Sequence, residues 1–210
     1  MDANLNFVMQ KRLEHAKAML DKNNMKTQIV QTATEVVPAL TQMLAENSVV
    51  ACGGSMTLEA CGVMDYLRQG NYRFLDRDAP GVDKRQIFIN SFSADFYLSS
   101  ANAITQNGEI YEIDGNGNRV AALAYGPGKV VIVAGRNKIV PDLAAARQRR
   151  METASPANAL RVGAGTPCTI TGRCSDCKSP GRICCTETIL LYQRNAERIR
   201  VILVNEDLGY

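Results

Sequence analysis

The chain predicts an α/β fold: a mostly parallel, Rossmann-like sheet with helices on both faces. Three observations predict it. Short apolar runs alternate with stretches of helical periodicity along most of the 210 residues. The most apolar run, Val130-Val131-Ile132-Val133-Ala134-Gly135, is followed by a helix candidate. A second run, Ser48-Val49-Val50-Ala51-Cys52, ends in Gly53-Gly54 directly before another helix candidate, as a buried strand entering a tight turn does. With 46% hydrophobic and 21% charged residues and no low-complexity tract, the chain can bury a substantial core. Its length suits one domain over residues 1–210.

Leu5, Val8, Met9, Leu13, Ala16, Met19 and Leu20 recur at helical spacing and predict an opening helix that stops near Lys22-Asn23-Asn24. Thr27 to Val30 fits a short strand. Val36 to Leu44 is helical, with Pro38 tolerated because it falls in the first turn. Thr57 to Leu67 forms the helix after the Gly53-Gly54 turn. Tyr72 to Leu75 and Phe96 to Ser100 are strands, separated by a weakly helical Lys84 to Ser91. Gln106-Asn107-Gly108-Glu109 lies between Ala103-Ile104-Thr105 and Ile110-Tyr111-Glu112-Ile113, and an Asn-Gly pair so flanked predicts a hairpin. A helix runs from about Pro141 to Met151, and Glu187 to Gln193 with Ile199 to Val204 are read as a closing pair of strands.

Charge and hydropathy narrow the partners. A net charge of +3 is too small to argue for nucleic acid, and the basic cluster Arg147-Gln148-Arg149-Arg150 reads as a solvated helix face without interleaved aromatics. No stretch approaches the roughly 20 apolar residues needed to cross a bilayer. Met1-Asp2-Ala3-Asn4-Leu5-Asn6-Phe7 has no basic region leading into an apolar run, so no membrane role and a cytoplasmic location are expected.

Five of the seven cysteines fall between Cys168 and Cys185, in a Gly- and Pro-punctuated loop spanning residues 166–186. Cys168, Cys174, Cys177 and Cys184 have the spacing C-x5-C-x2-C-x6-C, whose central C-x2-C knuckle directs two thiolates at one ion. In a reducing compartment this favours a metal or cluster, ahead of an unliganded redox-active thiol set and of disulfides, which an odd cysteine count also disfavours. The spacing matches neither the usual zinc ribbon nor the common ferredoxin pattern, so iron–sulfur cluster and zinc both stand. Arg173, Lys178 and Arg182 offset part of the negative charge of either centre.

Ligands of a parallel sheet bind beyond the carboxyl ends of its strands, which directs attention to Cys52-Gly53-Gly54-Ser55-Met56-Thr57. Gly53 and Gly54 let the backbone approach an anion, Ser55 and Thr57 supply hydroxyls, and the next helix offers free N–H groups. It is neither a Walker loop nor G-x-G-x-x-G, and a plain capped turn accounts for it equally well. Asp114-Gly115-Asn116-Gly117-Asn118 begins like a calcium loop, but Arg119 and Tyr125 stand where glycine and glutamate are required, so a hairpin or Asx turn is expected. His15, the only histidine, reads as a surface residue; Cys52 and Cys61 read as packing residues; and Asp95 reads as a cap or turn residue. Met- and Ala-rich helix stripes fit homo-oligomer formation and core packing alike.

Residues 94–109, from Ala94-Asp95-Phe96-Tyr97-Leu98-Ser99-Ser100 to Gln106-Asn107-Gly108-Glu109, closely resemble the lactate-utilization (LUD) domain family. So do Asp114 to Ala122, Lys129 to Val140, the Gly53-Gly54-Ser55-Met56-Thr57 turn, Arg182-Ile183-Cys184 and the Val204 to Tyr210 tail. Short members carry a similar late cysteine loop in which the fourth cysteine follows Arg-Ile, which implies Cys184 as the fourth ligand and Cys185 as the spare. The resemblance implies a fold like that of the ribose-5-phosphate isomerase and CoA-transferase superfamily. It further implies Gly53, Gly54, Ser55 and Thr57 as an anion cradle and Asp95 as a catalytic acid/base, although the fuller acidic motif of the sugar-phosphate isomerases is not reproduced around Asp95.

Two functional classes follow. In the first, the chain is a component or accessory of lactate (2-hydroxy acid) utilization, with partner subunits of a lactate-oxidising system and a cysteine-bound iron–sulfur cluster. In the second, it binds an anionic small molecule (phosphate, sugar phosphate, nucleotide or CoA), with or without isomerase-like activity, and its cysteines hold a structural zinc.

Overall fold

The computed structural model describes residues 2–210. The chain opens with α1 (Ala3–Lys22), capped by Asp2, whose Oδ1 accepts from the N–H groups of Asn4 and Leu5 at 3.0 and 3.2 Å. It continues through β1 (Lys26–Val30), α2 (Val36–Thr41), β2 (Val49–Cys52), α3 (Met56–Ala60), α4 (Val63–Gln69) and β3 (Arg73–Leu75). Then come α5 (Lys84–Asn90), β4 (Phe96–Ser99), β5 (Ala103–Thr105), β6 (Ile110–Asp114), α6 (Asn118–Ala124) and β7 (Lys129–Gly135). The last part holds β8 (Ile139–Val140), α7 (Leu143–Arg149), α8 (Ser155–Arg161), α9 (Cys168–Thr171), β9 (Thr186–Leu190) and β10 (Ile199–Val204).

Six strands make a wholly parallel sheet in the order β1-β10-β7-β4-β2-β3. The other four make a smaller sheet, β8-β5-β6-β9, in which β6 runs antiparallel to both of its neighbours. The expected mostly parallel α/β fold is therefore present, with a second sheet that periodicity did not separate from the first. The last two strands do not close the chain as a pair. β10 enters the middle of the large sheet between β1 and β7, whereas β9 lies on the edge of the small one beside β6. Their burial explains the split: β10 is buried at five of its six positions, and β9 is at most half-buried throughout.

Alternation along each central strand feeds two cores. Val130, Ile132 and Ala134 of β7 join Val201 and Leu203 of β10 and pack with Leu13, Ala16 and Leu20 of α1 and Ala122 and Leu123 of α6. Val131, Val133, Ile202 and Val204 face the other way, against Val36 and Leu40 of α2, Leu58 of α3 and Val63 and Leu67 of α4. Helices therefore cover both faces, as the unbroken apolar runs require.

Three local departures have local causes. The helix expected over Thr57 to Leu67 is interrupted at Gly62, whose φ of +70° is left-handed and splits α3 from α4. The stretch beginning near Pro141 is longer than expected, because a π-helical turn over Arg150–Ala154 joins α7 to α8. Helix α6 was not anticipated. Asp114 forms the expected Asx turn, its Oδ1 accepting from Asn116 and Gly117 N–H at 3.0 Å each, but the same turn launches this helix. The 105–110 hairpin is as expected, and its Gly108 has φ +78° and stands where a Cβ would lie 2.5 Å from the Met19 backbone.

Candidate functional site

In a wholly parallel sheet every strand delivers its carboxyl end to one edge. The segments after β2, β4, β7 and β10 meet there, and they enclose a cavity of about 90 Å³ whose walls include Gly54, Ser55, Ser100, Arg119, Lys138 and Tyr210. Ser155, Arg161 and Ile183 complete it from α8 and the cysteine loop. Among the described residues the buried Tyr210 Oη on its wall has no protein hydrogen-bond partner, and the buried Ser155 Oγ has only the Cys184 thiol beside it. Unpaired buried hydroxyls are what a polar ligand or water satisfies.

Lys138 is the residue that sequence reasoning missed. It follows β7 within a lone turn, with no motif around it, yet it is only 2% exposed. Its Nζ donates to Thr57 Oγ1 and to Ser100 Oγ, each at 2.9 Å, and among the described residues no carboxylate comes within ion-pair distance of it. Burial, reinforced by the Arg149 guanidinium, pulls its pKa down to about 7. Arg119, by contrast, is neutralised: it pairs with Glu112, which is fully buried, lies 3.7 Å from Asp114 and donates to the Ile113 carbonyl at 2.7 Å. Burial pushes the Glu112 carboxyl up while Arg119 pulls it back. Arg161, at the exposed side of the cavity, is steadied by Asn158 Oδ1 at 2.7 and 3.0 Å.

The expected cradle is only partly assembled as proposed. Gly54 and Ser55 line the cavity, and among the described residues their N–H groups have no protein acceptor. Gly53 spends its N–H on the Leu98 carbonyl at 3.0 Å. Thr57 is fully buried: its hydroxyl donates to the Leu208 carbonyl at 3.1 Å and receives Lys138, so it positions the lysine rather than facing a ligand. Helix α3 spans five residues, and the positive charge at this edge comes from side chains.

Asp95 is not brought to this cavity. It precedes β4 and therefore sits at the amino edge of the sheet, about 13 Å away along the strand. Its Oδ2 accepts the Val49 N–H at 2.8 Å while its own N–H donates to the Val49 carbonyl at 3.0 Å, so it ties the start of β2 to that of β4. Its contacts are those of a capping residue, and it is kept apart from the carboxyl-edge cavity. Asp95→Ala should cost about 1–2 kcal/mol in urea unfolding and leave small-anion affinity at the carboxyl edge unchanged; a loss of affinity would restore Asp95 to the site.

The cysteine loop forms a second cavity. Cys168, Cys174, Cys177 and Cys184 all line it, together with Arg150, Thr166 and Arg182, whereas Cys185 is exposed and outside it. Arg182 folds the loop by donating to the Cys177 carbonyl at 2.5 Å, the Cys184 carbonyl at 2.7 Å and Asp176 Oδ1 at 2.8 Å. Arg150 places Nη1 3.5 Å from Cys174 Sγ. The basic cluster is a solvated face only in part: Arg147 and Gln148 are exposed, whereas Arg149 and Arg150 are half-buried. Arg149 donates to the carbonyls of Asn102 and Asn137, and Arg147 pairs with Glu187 at 2.6 Å. Among the described residues no three cysteine, histidine or acidic side chains stand at metal-ligation spacing, and no disulfide is formed. Cys52 and Cys61 lie apart from the loop, and burial pushes their thiols up to about 12 and about 11, as inert packing residues require. His15 is exposed.

A model of the LUD domain matches residues 13–204. The chain belongs to the LUD domain family. A crystal structure of a DUF162 family protein from Deinococcus radiodurans is similar to this LUD domain over 93% of its length and 98% of the other chain, with 16% identity and a TM-score of 0.53. Smaller overlaps occur with eIF2B beta from Chaetomium thermophilum (17% identity, 52% and 43% covered, TM-score 0.38). Ribose 5 phosphate isomerase A from Neisseria gonorrhoeae overlaps similarly (16%, 53% and 54%, 0.34). No curated protein matches the chain. No helix among the described residues is long and apolar enough to cross a membrane.

Proposed function

We propose that this LUD domain serves the utilization of lactate or a related 2-hydroxy acid by holding a small carboxylate in the carboxyl-edge cavity, beside a four-cysteine centre. One observation carries the reading. Lys138 is a buried cation without a carboxylate partner, and it lines a cavity that shares the wall residues Ser155 and Ile183 with the cysteine cavity. A buried charge is costly unless paired, so a bound anion stabilises the site more than water does. The cavity of about 90 Å³ has room for a small acid.

The four thiols of the second cavity are the donor type of a thiolate-bound centre, with Arg150 and Arg182 beside them to offset charge, and binding would draw the sulfurs together from their present spacing. An iron–sulfur cluster there would pass on electrons, whereas zinc would fix the loop in place. The residues of this chain hold the acid and shield it. Arg161 meets the carboxylate from the exposed side, the free N–H groups of Gly54 and Ser55 supply neutral donors, and Ser155 and Tyr210 offer hydroxyls to its remaining oxygen. A sugar phosphate with structural zinc is the second reading, favoured by the same cationic wall.

The test uses protein purified without oxygen. Iron, sulfide and zinc are assayed, and L-lactate, pyruvate and inorganic phosphate are titrated by calorimetry. Gly54→Asp places a carboxylate on the cavity wall beside Arg77, whose Nη2 lies 2.7 Å from the position of the new Cβ. It should weaken carboxylate binding at least tenfold, about 1.4 kcal/mol, with the fold intact. Unchanged affinity rejects the cavity as the site. Zinc alone with preferential phosphate binding selects the second reading.

A further inference from the structure

We infer that Lys138 is a carbonyl-capturing amine, whose Nζ forms an imine with a small 2-oxo acid bound in the carboxyl-edge cavity. This rests on the carboxylate reading of that cavity and adds a covalent step to it.

The geometry around Nζ is that of a nucleophile held in place. Thr57 gives its own hydroxyl proton to the Leu208 carbonyl, so towards Lys138 it can only accept. Ser100 accepts a second N–H, and the third has no protein acceptor among the described residues. Loss of that third proton turns the open position into a lone pair on a wall of the ligand cavity. The groups that bear on its charge are Arg149 from α7, Arg119 from α6, Glu112 from β6 and Cys61 after α3. The arginines and burial disfavour the ammonium, and Glu112 is itself engaged by Arg119. A desolvated lysine beside other cations is how an amine becomes nucleophilic near neutral pH. Among the described residues Lys138 joins no ion pair, and its two hydroxyl partners leave its charge uncompensated.

The step needs no oxidant. Nζ adds to the carbonyl carbon, the C–O bond of the resulting carbinolamine breaks, and a C=N bond replaces it. The oxygen leaves as one water, carrying the two protons that the amine gives up. Ser100 Oγ, whose only side-chain partner among the described residues is Lys138, is placed to protonate the departing oxygen.

The protein is incubated with pyruvate or glyoxylate and sodium cyanoborohydride, then digested and mapped by mass spectrometry. The expected result is a reduced carboxyalkyl adduct on Lys138, absent from Lys138→Arg and suppressed when L-lactate is added first. Site mapping on the unaltered protein keeps the test independent of whether the variant folds. No adduct, or adducts only on exposed lysines, overturns the inference. Pyruvate binding is measured calorimetrically on the same unaltered protein without reductant. Binding without trapping rejects the amine chemistry and leaves the carboxylate cavity standing; absence of both rejects the two together.

Discussion

Lys138→Met should stabilise the protein at and below neutral pH while weakening small-carboxylate binding at least tenfold. In the folded chain the lysine titrates near 7, against 10.5 for an ordinary lysine, because it is buried with hydroxyl partners alone. Between these values the unfolded chain binds more protons than the folded one, so the lysine's contribution makes stability rise with pH across that window. Below pH 7 the folded state carries the whole penalty of burying the charge, on the order of 5 kcal/mol. Methionine removes that penalty. It also leaves Thr57 and Ser100 without a donor, at about 1 kcal/mol each, so a net gain of about 3 kcal/mol is expected. Urea unfolding at pH 6 and pH 10 checks this: the advantage of the variant should be largest at pH 6 and shrink towards pH 10. A difference independent of pH would mean that the lysine does not titrate in this range. Carboxylate affinity of the unaltered protein should fall as pH rises above 7, as the ammonium is lost, and the variant should bind at least tenfold more weakly at pH 6.5.

If the proposed four-cysteine centre binds a metal or cluster, replacing any one of Cys168, Cys174, Cys177 or Cys184 by serine should abolish that binding, and Cys185→Ser should leave it intact. The four line one cavity from three separate places, α9, the 174–177 knuckle and the strand approach at Cys184, whereas Cys185 points its Sγ to the Arg182 carbonyl from an exposed position. A centre held from all three places ties the loop to the body of the fold. Removing it with a chelator should therefore accelerate tryptic cleavage after the exposed Arg173 and Lys178 by tenfold or more. Metal content, visible absorbance and cleavage rate measure the outcome. Retention of metal in Cys184→Ser but not Cys185→Ser would exchange the roles of the two adjacent cysteines.

The sequence legible here was of two kinds. Periodicity located most elements, including the hairpin at Gly108 and the buried strand ending at Cys52, because local propensity and burial agree there. It was weaker where neighbours decide. A glycine at 62 splits a continuous helical pattern, and α6 grows from a turn whose local chemistry reads only as a turn. The four cysteines were visible as a group because their spacing is local, and the structure lines one cavity with the same four. Of the four cradle residues that the resemblance implied, Gly54 and Ser55 line the carboxyl-edge cavity, while Asp95 stands at the opposite edge of the sheet.

The sequence by itself determined the α/β class, the cysteine set and the glycine turn, since each is written in residues close together along the chain. Tertiary structure alone decided which strands are neighbours, that Asp95 and the glycine turn lie on opposite edges, and that Lys138 is buried beside Thr57 and Ser100. The physical reason is that burial and the lack of a counter-charge arise from segments 38 and 81 residues away meeting at one sheet edge. No local pattern encodes that meeting; the parallel order of the strands does.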